Sequence, residues 1–265
     1  MRFARFAGFM PGKLLVVVGI GVGVLAASTP ASADTFSATY FSVTESNAAG
    51  SDFHPAGVGT GTGSNNYVTN TLSGGMPVFN AGSYTAAAGY TLPAAAGDVN
   101  GSNVLEWWTP GSSNGGVNVV TETGMGVFTT TGSAQNMFPP DSTGNNDSTM
   151  EETAILSGDF DLGSAQTVTF TAAADDDVFI FVDGTYVGGL GGIHAAGSPV
   201  DYTTGMLGAG YHNVEIFYAD QDQVAASLDL SSNVPVSATP EPGSLALLGT
   251  GILAIGGTLR RRMMR

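Results

Sequence analysis

Three aspartates in succession, Asp175-Asp176-Asp177, form the densest negative charge in this chain and run directly into an apolar segment, Val178-Phe179-Ile180-Phe181-Val182. Adjacent carboxylates repel, and in a regular strand they would alternate faces, so only a turn can aim them at one point. Such a turn needs a cation to offset the repulsion, and the surrounding chain offers none. All seven basic residues lie at the two ends, as Arg2, Arg5, Lys13, Arg260, Arg261, Arg262 and Arg265, whereas all 22 acids fall between Asp34 and Glu241. A metal is the remaining candidate, and Ca²⁺, which takes roughly 6–8 oxygen ligands from carboxylates, carbonyls and water, suits the donor type. The competing reading is a solvated turn closed by Asx hydrogen bonds.

Other side chains with chemistry are sparse. The three histidines are His54, His194 and His212, and the chain has no cysteine. His194 sits in a glycine-rich stretch, Gly188-Gly189-Leu190-Gly191-Gly192-Ile193-His194, where it is either a ligand contact or a structural histidine bonded to nearby backbone. Trp107 and Trp108 would face opposite ways in a strand: one is core, and the other either stacks on a sugar ring or lies at a half-exposed edge. A hydrolase would need a nucleophile with its base or two opposed carboxylates at a defined separation. Glu151-Glu152 are adjacent and point apart in a strand, and no histidine lies in a catalytic pattern, so the chain reads as non-enzymatic.

The elements that must position these groups are strands. The chain between its ends is rich in Gly, Ser, Thr, Ala and Asn, without a helical period. Residues 35–43, 117–131, 153–160, 166–172, 178–183, 186–189, 213–219 and 225–230 read as strands, the second segment as one strand or two, broken at Gly124 and Gly126. Asp183-Gly184 between apolar runs is a hairpin signal. Residues 207–212 read as a turn, and 81–101 as a low-complexity loop.

The ends are targeting segments. Arg2, Arg5 and Lys13 precede the apolar run Leu14–Leu25, and Ala31-Ser32-Ala33 supplies small residues for cleavage after Ala33. Twelve apolar residues are too few for a bilayer span, which takes about 20. At the other end Pro240-Glu241-Pro242 precedes a largely apolar run of 17 residues, Gly243–Leu259, and then Arg260-Arg261-Arg262, which reads as a short transmembrane helix with its arginines on the cytoplasmic side. The expected organisation is a signal peptide at 1–33, one β domain at 34–232, a linker at 233–242 and a membrane and sorting tail at 243–265. A domain without cations repels phosphate backbones and anionic lipid, which excludes nucleic acid as a partner and leaves neutral sugars or divalent cations.

Two resemblances sharpen these readings. The ordered triple of Pro240-Glu241-Pro242, apolar run and arginine cluster resembles the PEP-CTERM sorting signal of exported proteins in Gram-negative, exopolysaccharide-making bacteria. That likeness implies recognition by a membrane sorting enzyme, removal of the tail, and a final place at the cell surface or in the extracellular matrix. The run Asp175-Asp176-Asp177 through Asp183-Gly184, followed by Gly191-Gly192-Ile193-His194 and Phe217-Tyr218-Ala219, resembles the PA14-like β-sandwich and its fibro-slime subfamily. Ser51-Asp52-Phe53, Gly75-Met76-Pro77-Val78-Phe79, Trp107-Trp108 and Phe138-Pro139-Pro140-Asp141 follow the same order upstream.

The PA14 likeness implies an all-β antiparallel sandwich. It also implies a Ca²⁺ site in which Asp175 and Asp176, a pair often joined by a cis peptide, act with a second loop. There Asp220 supplies a side chain, and Asp222 and Val224 supply carbonyls. Asp177 stands where that family usually has glycine, and the base expected near Asp220-Gln221-Asp222 is missing. The function so implied is Ca²⁺-assisted binding of extracellular polysaccharide or a cell-surface glycan in adhesion. A structural matrix protein is the alternative and a polysaccharide-acting enzyme the third reading.

Overall fold

Strong alternation of apolar and polar residues, punctuated by glycine, folds the described part of this chain into strands without a helix. The computed structural model describes residues 33–44, 66–81, 99–111, 119–133, 135–136, 151–221 and 226–239. The signal segment up to Ser32, the pieces around Asp52-Phe53-His54 and Phe138-Pro139-Pro140-Asp141, residues Asp222 and Val224, and the tail from Pro240 lie outside them. Among the described residues there are eleven strands: β1 (Thr35–Thr44), β2 (Val119–Thr129), β3 (Gln135–Asn136), β4 (Glu151–Leu162), β5 (Thr169–Asp175), β6 (Asp177–Val182), β7 (Thr185–Leu190), β8 (Val200–Thr203), β9 (Gly210–Ala219), β10 (Ser227–Ser232) and β11 (Ser237–Ala238). A seven-stranded antiparallel sheet runs β2-β1-β4-β9-β6-β7, with β11 added beside β4, and a four-stranded sheet runs β3-β10-β5-β8.

The two sheets face one another across a core built from every second residue. Phe36, Ala38 and Tyr40 of β1, Leu156 and Phe160 of β4, Ile180 of β6 and Ile216 of β9 meet Phe170 and Ala172 of β5 and Leu228 and Leu230 of β10. The expected all-β antiparallel architecture is therefore the observed one. The Asp183-Gly184 turn is also as expected: φ is 51° and 72°, the doubly left-handed geometry that joins a twisted hairpin in two residues.

The apolar run of β6 is buried on both sides because the large sheet has a second core on its outer face. There Phe179, Phe181, Phe217 and Ala219 are covered by Tyr67, Val68, Phe79, Leu105, Trp107 and Trp108. Tyr67 stacks on Phe179 with ring centroids 5.6 Å apart, and Trp108 meets Phe217 edge-on at 5.1 Å. This corrects the surface reading of the tryptophans. Neither lies in a strand, both are 1% exposed, and Trp108 donates from its indole nitrogen to the Tyr218 carbonyl at 2.9 Å. A large apolar body with one satisfied polar group is stable inside, and burying about 200 Å² of such a ring is worth about 5 kcal/mol.

Three further features have local causes. Val119–Thr129 is one strand, because the extra residue near Gly124 is absorbed as a bulge against Tyr40 and Phe41. His212 belongs to β9, which already begins at Gly210. The stretch after Ser232 is not free linker: Val236 is 3% exposed in the core and Ser237-Ala238 pair with β4. Asp34 fastens that return, its two carboxylate oxygens accepting from the backbone N–H groups of Ser232 and Val236 at 2.9 and 3.0 Å. Its burial raises the carboxyl above the ordinary 3.8, against the pull of those hydrogen bonds. Ala33, the expected cleavage residue, is exposed immediately before this clamp.

Candidate functional site: the acidic corner between the sheets

The aspartate run sits where the chain leaves one sheet for the other. Asp175 closes β5 of the small sheet, paired with Ser227, and Asp177 opens β6 of the large sheet, paired with Ala219. Asp176 lies between them, and the Asp175–Asp176 peptide bond is cis. Because Ala219 ends β9, its successor Asp220 is delivered to the same corner, its N–H bonded to the Glu152 carbonyl at 2.9 Å.

Asp176 is 1% exposed and organises two loops. One carboxylate oxygen accepts from the His194 N–H at 2.8 Å, fixing the loop after β7, and the other accepts from the Gln221 N–H at 2.8 Å, fixing the loop after β9. Asp177 is fully buried; its Oδ1 accepts from the Gly192 N–H at 2.6 Å, while Oδ2 has no hydrogen-bond partner. The Tyr218 hydroxyl, also fully buried, donates to the Asp175 carbonyl.

Electrostatics show how tightly these groups are gathered. Burial drives the Asp176 carboxyl well above its ordinary 3.8, the charges of Asp177 and Asp220 push it further, and the Gln221 and His194 N–H groups oppose them. Burial lifts Asp177 to about 8 against the Gly192 N–H. Tyr218 is raised well above 10, first by burial and then by Asp220, Asp176, Asp175 and Asp177 in turn. One phenol thus reports all four aspartates.

His194 is 5% exposed, with Nδ1 3.2 Å from the Ala195 carbonyl. Burial lowers its pKa against that carbonyl, so the ring is neutral near pH 7, and Nε2 has no hydrogen-bond partner. Its ring thus bonds the adjacent backbone, while its own N–H holds Asp176.

The structure thus brings Asp175, Asp176 and Asp220 of the expected ligand set to one corner, while Asp222 and Val224 lie outside the described residues. Among the described residues, no three of His, Cys, Asp and Glu form a ready-made ion cage. Oxygen donors gathered in the dry, an orphaned carboxylate oxygen on Asp177 and no base nearby nevertheless suit a hard cation. Two members were not singled out as site residues in the sequence. Asp177 occupies the place that the resemblance gives to glycine. Gln221, 1% exposed with its amide nitrogen unpartnered, looks like an ordinary loop residue until its N–H is seen on Asp176.

Comparison with known proteins adds to this geometry. A family model described as the PEP-CTERM protein-sorting motif matches residues 238–262. The chain carries a sorting signal, which marks it as an exported protein, and the expectation from Pro240-Glu241-Pro242 and the arginine cluster is borne out. No curated protein matches the chain. Among solved structures it is similar to a PA14 sugar-binding domain from an RTX adhesin, at 30% identity over 31% of this chain and 46% of that one, with a TM-score of 0.25. It is also similar to the PA14 domain of the MpAFP antifreeze protein, at 20% identity over 35% and 55%, with a TM-score of 0.24. A third likeness is to the A domain of Epithelial Adhesin 9 from Candida glabrata in complex with Galβ1-4GlcNAc, at 12% identity over 78% and 85%, with a TM-score of 0.32. The chain thus spans about half the length of the first two. Among the described residues no helix is long and apolar enough to cross a membrane, and the expected C-terminal span falls in the undescribed tail.

Proposed function

We propose that this is a secreted, non-catalytic, cell-surface carbohydrate-binding protein. In this reading the corner at Asp175, Asp176 and Asp220 holds Ca²⁺, completed by Asp222 and Val224. The observation that carries it is the buried Asp176 carboxylate, which ties the His194 loop to the Gln221 loop amid two further buried acids and no base. The acids gathered there cannot all ionise without a counterion, as the raised pKa values of Asp176 and Asp177 register. A bound Ca²⁺ would neutralise them and accept hydroxyl oxygens of a neutral sugar as further ligands. The chain's own part is to hold the two loops at a fixed separation, through Asp176, and to brace Asp175 from below, through Tyr218. Extracellular polysaccharide or a neighbouring cell's glycan is the partner that such an anionic, exported domain suits, and the membrane sorting enzyme is the partner of the tail.

The test is calorimetric titration of Ca²⁺ into the exported protein. One tight site is expected, lost in Asp176→Asn and retained in Asp201→Asn, which lies on the small sheet away from the corner. Absence of Ca²⁺ binding, or binding indifferent to Asp176→Asn, removes the metal from this reading.

A further inference from the structure

The outer face of the large sheet is not used evenly. At one end Ile155 and Phe217 lie under the tryptophan-rich lid. At the other end the same face of the paired strands β4 and β9 carries Asp159, Asp161, Tyr211 and Asn213, with Asp161 opposite Tyr211 and Asp159 opposite Asn213. β11 runs alongside, Ser237 opposite Asp159, and with Pro235 it walls off a cleft of about 450 Å³. That volume lies in the range of small-ligand sites, about 300–1,000 Å³. Tyr211, on its rim, is 82% exposed, the most exposed large apolar side chain among the described residues.

We infer that this cleft is a second glycan subsite, selective for a sugar unit bearing a free, protonated amine. Two carboxylates flank an open aromatic ring, and no lysine or arginine exists anywhere between Lys13 and Arg260 to pair with them. Both ring nitrogens of the one histidine nearby, His212, are engaged, Nδ1 on Asp183 at 2.7 Å and Nε2 on the Gly208 carbonyl at 3.1 Å, and the charge of Asp161 adds only the last of the effects that raise its pKa. An ammonium group is attracted both to the face of a tyrosine ring and to carboxylates, and the ring carbons of a hexosamine can lie against Tyr211 and Pro235. A uronic acid is repelled by the same charges. The cleft lies at the opposite end of β9 from Asp220, about 26 Å away at the usual rise per residue. It shares no residue with the acidic corner, so it stands or falls without Ca²⁺. Two subsites facing different ends of one domain would let it bridge neighbouring polysaccharide chains.

The experiment is calorimetry of the exported protein at pH 6, in chelator, with a β-1,4-linked glucosamine tetrasaccharide and its fully N-acetylated counterpart. The free amine is expected to bind at least about tenfold more tightly. Tyr211→Ala and Asp161→Asn should each weaken that binding by about tenfold or more, with the melting temperature unchanged because both side chains are exposed. Tyr211→Ala leaves every charge in place, so its loss separates a built site from attraction to a generally anionic surface. Asp201→Asn should have no effect. The inference is overturned if the free amine does not bind, if both sugars bind equally, or if Tyr211→Ala binds as the wild type does. Because chelator is present throughout, none of these outcomes bears on the Ca²⁺ corner.

Discussion

Replacing Asp177 by asparagine should stabilise the metal-free protein, and by an amount that grows with pH. The side chain is fully buried and its carboxyl is lifted from 3.8 to about 8, chiefly by burial. Between those values the unfolded chain has released the proton that the native state keeps, so the native state binds more protons and stability falls as pH rises. Below about pH 4 both states are protonated and the group costs nothing. At pH 7 the interval is about three units, and at about 1.4 kcal/mol per unit the cost is about 4 kcal/mol. Asparagine has no proton to hold and keeps an oxygen for the Gly192 N–H, while its amide donors, facing the place of the unpartnered Oδ2, forfeit about 1 kcal/mol. Urea unfolding in chelator should therefore find Asp177→Asn no more stable than wild type at pH 4 and about 2–4 kcal/mol more stable at pH 7. Saturating Ca²⁺ should shrink the gap, since a nearby cation favours the ionised carboxylate. A gap that does not widen between pH 4 and pH 7, or a destabilised variant at pH 7, would refute the claim that Asp177 is buried without a compensating charge.

Three other outcomes follow from the same structure. Trp108→Ala should cost about 3–5 kcal/mol in denaturant unfolding by opening the lid over Phe179 and Phe217, and acrylamide should barely quench the fluorescence of the chain's two tryptophans; strong quenching would return one of them to the surface. His212 should titrate above the ordinary 6.5, because Asp183 accepts from its ring. The stability from that pair is therefore full below 6.5 and lost as pH rises through the raised value; in an NMR-monitored titration Asp183→Asn should lower the His212 pKa, leaving the smaller rise that the Gly208 carbonyl and Asp161 supply. Mass spectrometry of the exported protein, in a host with the sorting machinery, should find the residues from near Pro242 onward removed; intact Arg265 in mature material would contradict this.

The hairpin at Asp183-Gly184 was legible because its geometry demands left-handed residues, and β6 and β9 because their apolar positions recur without interruption. The run Asp175-Asp176-Asp177 stood out by charge, since acids without a base need an explanation, whereas the grouping of Asp175 and Asp176 with Asp220 came from the PA14 resemblance. Other features depended on tertiary context. Val200–Thr203 is four residues after a proline and pairs only because β5 offers an edge. Ser237-Ala238 carry no strand signal of their own and are held by Asp34 and Val236. The sequence put only one tryptophan in the core; the second could not be placed there until residues 66–81 were seen packed with both, since a local pattern does not reveal a second layer. Asp177 looked like one more turn residue, whereas its burial follows from the β6–β9 pairing that places it opposite Ala219.

The central claim, Ca²⁺-dependent recognition of a glycan at the Asp176 corner, is tested most directly by a glycan array probed with the exported protein in Ca²⁺, in chelator, and as Asp176→Asn. The account predicts binding to a defined set of neutral glycans in Ca²⁺ that disappears both in chelator and in Asp176→Asn, while Asp201→Asn binds as the wild type does. The same glycans bound equally in all of these conditions, or no neutral glycan bound in Ca²⁺, would contradict it.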